Sequence, residues 1–264
     1  MAWSSPLLSV ILLKQKLQKD GLILMKMKWT IKVLILLAIP PVALIILFAL
    51  PRPSVEIEQP RPAMWPYPSV EQATYTYWLD DAGKLRIHLV HPVLHGVTPK
   101  MLAWWYQNLA IGQAEFDGVM YSYYHLFHLS EHGQNRILEP STDGSPGMGV
   151  GALVYRQETF GPYTSKGQAR VLEFGPNGYL VAPVMGPFSL GLVKHTFELA
   201  ANGGALYTVE IELGSDIPVL GYVLNKFIQM NQFSPPVITE WLRHQVEEVG
   251  SLVHYLPDLY TAEH

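Results

Sequence analysis

Cysteine is absent from the 264 residues, which excludes disulfides, thiolate catalysis, cysteine metal sites and a lipid-modified cysteine anchor. Charge is scarce as well. Only 15% of residues are Asp, Glu, Lys or Arg, the net charge is -4 and no basic stripe occurs, which argues against nucleic acid as a partner. There is no internal repeat, and only one uncharged apolar run is long enough to span a bilayer.

That run is 33–50, VLILLAIPPVALIILFAL, preceded by Lys26, Lys28 and Lys32. We read 1–32 as a cytoplasmic segment and 33–50 as a single-pass transmembrane anchor, because the lysines mark the side that stays inside. The main domain is then expected outside the cytoplasm, in the periplasm if the cell is bacterial. Pro40 and Pro41 would kink the span, a defect that lipid tolerates better than water does. A cleaved signal peptide is the rival reading, but no A-x-A site follows the run. Met25 and Met27 each offer a tidier start, with lysines followed directly by the apolar stretch. Residues 51–68, PRPSVEIEQPRPAMWPYP, hold six prolines and read as an extended linker or a strapped-down arm. The folded domain is expected over 69–264. Without disulfides, an outward-facing domain must be held by its core or by a metal.

Within that domain Leu85, Ile87 and Leu89 alternate as one face of a strand, with His88, His91 and His95 in or just beyond it. Thr98 and Pro99 cap a helix through TPKMLAWWYQNLAI, in which Met101, Trp104, Trp105 and Leu109 are expected to pack. Tyr121 to Asn135 carries His125, His128 and His132, which would share roughly one face at helical spacing; two of them are read as packing or supporting residues. LVYRQETF is a strand with Glu158 in the parity of Val154. From Ala169 to Leu213 the pattern is a run of antiparallel strands separated by PNG, PFS and ANGG turns. Val193, His195, Phe197 and Leu199 fall on one face there, and Tyr207, Val209 and Ile211 on one face of the next strand, so His195 points inward.

Ser234 to Pro257 is the most informative stretch. Ser234 is a natural N-cap, Pro235 suits the first turn, and Pro257 is expected to end the helix. Val237, Trp241, His244, Glu248, Leu252 and Tyr255 line a single face, so an imidazole and a carboxylate stand one turn apart among apolar neighbours. Such a carboxylate must be paired, hydrogen-bonded or bound to a metal, and a His and Glu four apart can both reach one cation. Glu247 lies about 100° away around the helix and is read as solvated. The fold expectation is α+β: a curved antiparallel sheet gripping the long C-terminal helix, with a cavity between them.

GVTPKMLAWWYQNL and HQVEEVGSLVHYLPDLY resemble the diacetylphloroglucinol hydrolase family, which includes phloretin hydrolase; the resemblance spans roughly Gly96 to Tyr260. It implies a helix-grip, Bet v 1/START-like domain that hydrolyses the carbon–carbon bond between an acyl group and a phenolic ring. It also implies a zinc ion held by His132, Glu158, His244 and Glu248, with Tyr124, Asn135, His195 and Tyr222 around the substrate. Fe or Mn would accept the same donors. The spacings from His132 to Glu158 and from His195 to His244 are shorter than the family's, which implies a reshaped pocket, and the anchor and arm leave its N-terminal dimerisation region trimmed or replaced; a homodimer is the assembly the resemblance implies. The implied partner is a small aromatic ketone, with His195 or Tyr124 as acid and Asn135 as an orienting donor. A membrane-tethered module that binds an apolar or aromatic ligand without turnover is the alternative.

Overall fold

The computed structural model describes residues 28–32, 55, 57, 60–201, 203–217 and 220–264. The chain divides into two units, Met1–Pro53 and Ser54–His264. In the first, only the short helical piece 28–32 is described. The anchor expected at 33–50 lies outside the described residues, among which no helix is long and apolar enough to cross a membrane.

The second unit is α+β. Its large antiparallel sheet runs β1 (Thr74–Leu79), β2 (Leu85–Val90), β11 (Ala205–Leu213), β10 (Gly191–Leu199), β8 (Gly178–Met185), β7 (Tyr163–Gly175), β6 (Leu153–Phe160), β5 (His132–Glu139), and β9 (Phe188–Ser189) pairs with β8. Alternation decides which face is buried. Leu85, Ile87 and Leu89 of β2 are buried, as are Tyr207, Val209 and Ile211 of β11, in the parities expected. Leu199 departs from that pattern at 73% exposure, because it ends β10 where the core stops.

Irregular register curves the sheet at β7, between Val171 and Glu173, and twice in β5. The bulge after His132 positions a functional pair. His132 faces Glu158 across the ladder and Asn135 faces Arg156, so three steps on β5 match two on β6. Two residues three apart therefore emerge on the same face.

Five helices flank the sheet: α1 (Pro99–Asn108), α2 (Tyr123–Phe127), α3 (Leu220–Phe227), α4 (Pro235–Ser251) and α5 (Leu256–Ala262), with the β3 (Gln113–Phe116) and β4 (Val119–Ser122) hairpin beside them. Thr98 caps α1 by accepting the Met101 N–H. The buried stripe of α1 is Leu102, Trp105, Tyr106 and Leu109, turned from the expected Met101 and Trp104. Helix α4 carries the expected inner face from Val237 to Glu248 into the core, and Leu252 and Tyr255 are buried in the turn that follows it; fully burying each of the larger apolar side chains contributes about 1.5–3 kcal/mol. Two details of α4 differ from expectation. Ser234 has N-cap backbone angles but makes no side-chain cap bond, since Pro235 and Pro236 remove the first two N–H groups. The helix also ends at Ser251, and Pro257 opens α5 instead of stopping α4.

The proline-rich segment is a strapped arm over its described part. Arg61 donates from its backbone to Leu129 O (3.0 Å) and from Nη1 to the Tyr121 hydroxyl (2.8 Å). Trp65 packs on Tyr255 with ring centroids 4.9 Å apart. Pro68 lies so close to Gly250 that a Cβ there would stand 2.2 Å from Pro68 Cγ, which is why the helix carries glycine at this turn.

Candidate metal centre

The inner residues of three elements converge: His132 at the start of β5, Glu158 on β6, and His244 with Glu248 on α4. Their exposures are 0%, 2%, 0% and 5%. His132 Nε2 lies 3.2 Å from His244 Nε2, 3.1 Å from Glu248 Oε2 and 4.0 Å from Glu158 Oε2, and His244 Nε2 lies 3.5 Å from Glu248 Oε2. Donors arranged tetrahedrally about 2.0–2.2 Å from one ion would be roughly 3.3–3.6 Å apart; His132, His244 and Glu248 come close to that spacing, and the donor atoms of His132, Glu158 and His244 lie within 4.8 Å of one another.

Each ligand's remaining polar atom is engaged elsewhere. His132 Nδ1–H donates to the Tyr124 carbonyl (2.6 Å), and His244 Nδ1–H to Glu131 Oε2 (2.7 Å), so both Nε2 atoms can present lone pairs. The other carboxylate oxygens meet Arg156 at Glu158 and Gln245 at Glu248. The Tyr124 hydroxyl donates to Glu158 Oε2 (2.9 Å), and its ring stacks on His132 at 3.9 Å.

Two imidazole Nε2 atoms with both Nδ1 protons committed elsewhere cannot hydrogen-bond unless a proton or a cation lies between them. Electrostatics supplies the proton. Burial pulls the His244 pKa down, but Glu248 and the hydrogen bond that His244 donates to Glu131 outweigh it and hold it up at about 9. Burial likewise raises Glu248, while His244 and His132 more than reverse this and hold its carboxyl well below the usual range. A site that retains a proton this firmly is one in which a divalent cation can replace it.

A second histidine and carboxylate cluster lies on the outer side of His244. His128 stacks on His244 at 4.7 Å and donates to Glu247 Oε2 (3.2 Å), and burial lowers its pKa to about 4. Glu131 accepts from His244, from Arg243 Nη2 (2.6 Å) and from Gly161 N (2.9 Å); although burial raises its pKa, these partners hold it at about 2. Arg243 also pairs with Glu247 and Glu240, so this cluster already contains its cation. Glu247 is thus part-buried and paired rather than solvated as expected. The three histidines of 125–132 do not share a helix face either, since α2 ends at Phe127 and His132 belongs to β5.

Toward β10 and β11 lies an aromatic wall. Buried Tyr207 donates to the Tyr106 hydroxyl (2.7 Å), and His195 Nδ1 lies 2.6 Å from Tyr207 Oη. With the Tyr207 proton given to Tyr106, His195 must donate through Nδ1, leaving Nε2 as an acceptor. Burial lowers the His195 pKa to about 3, so the ring is neutral at neutral pH. It stacks on Tyr179 at 4.1 Å, and the charge of Glu248 reaches His195, Tyr179 and Tyr207, which places these side chains around the interior that Glu248 faces. Asn135 has a buried Oδ1 without a protein partner. Tyr222 is not part of this arrangement: it is 67% exposed, whereas Leu224 of the same helix is buried. Sequence reasoning missed Glu131 and Arg156, although Arg156 shares the strand parity of Glu158.

No family model and no curated protein matches the chain. Among solved structures it is similar to the KanY protein, at 12% identity over 73% of this chain and 99% of that one, with a TM-score of 0.40. It is also similar to protein Ms6760 from Mycobacterium smegmatis, at 13% identity over 73% and 99%, with a TM-score of 0.40. A third is Ara h 8.0201, at 11% identity over 69% and 98%, with a TM-score of 0.39. At such scores nothing about function follows from these likenesses.

Proposed function

We propose that this chain is a metal-dependent hydrolase of helix-grip, Bet v 1/START-like architecture. Its reaction would cleave the carbon–carbon bond between an acyl group and a phenolic or 1,3-dicarbonyl-like carbon. One observation carries the reading: the buried donor atoms of His132, Glu158 and His244 lie within 4.8 Å of one another, Glu248 Oε2 lies within 3.5 Å of both imidazole Nε2 atoms, and the other polar atom of each of these side chains meets a partner of its own. The resemblance of both terminal motifs to the diacetylphloroglucinol hydrolase family adds the reaction class. Two histidines and two carboxylates suit zinc and also accept Fe or Mn.

When bound, a divalent cation supplies Lewis acidity, polarising a ketone oxygen and lowering the pKa of water toward about 7. The chain's own residues do the rest. Tyr124, with its pKa pushed well above 10 by burial and Glu158, keeps its proton and fixes the Glu158 carboxylate. Neutral His195 offers Nε2 as an acceptor to a ring hydroxyl, so it orients the ring rather than serving as the expected acid. The Asn135 amide provides a second polar contact, and the aromatic wall around Tyr179 excludes water from the ring. Residues 33–50 would tether this domain to a membrane.

Element analysis of the purified full chain, before and after chelation, together with a screen of acylphenols, tests the proposal. Bound Zn, Fe or Mn and metal-dependent release of the acyl group as a carboxylic acid are expected. A chain that takes up no metal and cleaves no acylphenol when metal is supplied would overturn it. A pure binder, the alternative reading, would keep its ligand affinity when any of the four metal candidates is changed to Ala.

A further inference from the structure

Along β6, Val154, Arg156, Glu158 and Phe160 share one face, and the register with β7 is unbroken through all four. Val154, Glu158 and Phe160 are buried at 8%, 2% and 2%, yet the Arg156 side chain keeps 44% of its accessible surface. A side chain that points inward among buried neighbours and still retains this much accessible surface borders open space on that face of the sheet. Its Nη1 meets Glu158, and no other hydrogen bond of this guanidinium occurs among the described residues. Most of its five N–H donors therefore face that space. Asn135 is its cross-strand neighbour, and the charge of Arg156 is felt at Tyr179 and His195.

The charges of the interior can be counted. Glu158 and Glu248 together balance a divalent cation, and Glu131 is answered by Arg243. With that cation bound, Arg156 is left over, which gives the lined space a charge of about +1. One monoanion would cancel it.

We propose that Arg156 is a substrate-binding residue that selects the monoanionic, phenolate or enolate, form of the substrate. The chemistry and the charge count of this proposal rest on the hydrolase reading; the unpaired N–H donors of the guanidinium do not. In the reaction the phenolate takes one proton at the acyl-bearing ring carbon, giving the neutral keto tautomer, and water adds to the ketone carbonyl. The acyl–carbon bond then breaks and its electron pair passes through the ring to the phenol oxygen. The proton released as the acyl group becomes a carboxylic acid balances the one taken up. Arg156 holds the oxygen where the negative charge begins and ends.

The test compares 4-nitrophenol, at a pH where it is ionised, with 4-nitroanisole, its neutral methyl ether, as ligands of the full chain in mild detergent. The visible band of the phenolate reports binding in the presence and absence of added zinc. The wild type should favour the phenolate by about tenfold or more, the range of a hydrogen bond to a charged group. Arg156→Met should reduce that preference below about twofold, while Arg156→Lys, which keeps the charge but not the planar fork, should retain part of it. Zinc content measured on all three separates loss of the anion site from loss of metal. Equal binding of the two probes by wild type, or an unchanged preference in Arg156→Met, would overturn the proposal even if acylphenols are cleaved. A preference lost with Arg156 in a chain that takes up no metal would uphold the anion site while the hydrolase reading fails.

Discussion

His244 stands between two clusters built from the same residue types. On its inner side are His132, Glu158 and Glu248; on its outer side are His128, Glu131 and Glu247. Both bring imidazoles and carboxylates within coordination distance. The outer one contains Arg243, whose guanidinium already joins Glu131, Glu240 and Glu247. The inner one has no such resident cation at the meeting point of its Nε2 and Oε2 atoms, because Arg156 and Gln245 engage the opposite carboxylate oxygens. Ligand types alone do not make a metal centre; what matters is whether a side chain has already supplied the positive charge.

Substitutions graded from inner to outer cluster can break this contrast. Glu248→Gln keeps the shape and removes an anionic donor. Metal affinity should fall by at least about a hundredfold and turnover with it, with the circular dichroism spectrum unchanged. If Glu248→Gln retains metal, the centre does not lie on α4. Glu131→Gln should act through His244, whose Nδ1–H loses its charged acceptor: we expect a fall of about 10- to 100-fold in zinc affinity measured by competition with a chelator. An unchanged affinity would mean that the Tyr124 carbonyl and the packing suffice to orient the two rings. Glu247→Gln belongs wholly to the outer network, so metal content should stay at the wild-type level. Its part-buried bonds to His128 and Arg243 should cost about 1 kcal/mol, or about 3 °C in Tm by thermal denaturation. Loss of metal in this variant would merge the two clusters into one site.

Where a period dictates burial, the sequence was readable. The three-and-four spacing from Val237 to Tyr255 and the alternation in β2 and β11 translate directly into buried faces, because a helix or strand leaves each residue one direction to point. His244 and Glu248 were legible for that reason. Glu131, Arg156 and Arg243 were not, since their roles depend on which charges meet across elements far apart in sequence. The histidines of 125–132 misled for a related reason: helical spacing was assumed across a break, and His132 left the helix for a strand. Tyr222 was placed by resemblance through a gapped stretch, and the amphipathic packing of α3 turns it outward.

The extra residue in β5 has a consequence for how this centre tolerates change. Because His132 and Asn135 lie an odd number of positions apart, their common orientation depends on a count rather than on any particular side chain at 133 or 134. Gly133 is buried, so substitution is expected to be tolerated only at Gln134, whereas deleting either residue would restore even pairing and send either the imidazole or the amide to the opposite side of the sheet. Inheritance of the site is therefore sensitive to length at this point: an alignment that closes the gap here would pair the wrong residues while appearing to improve.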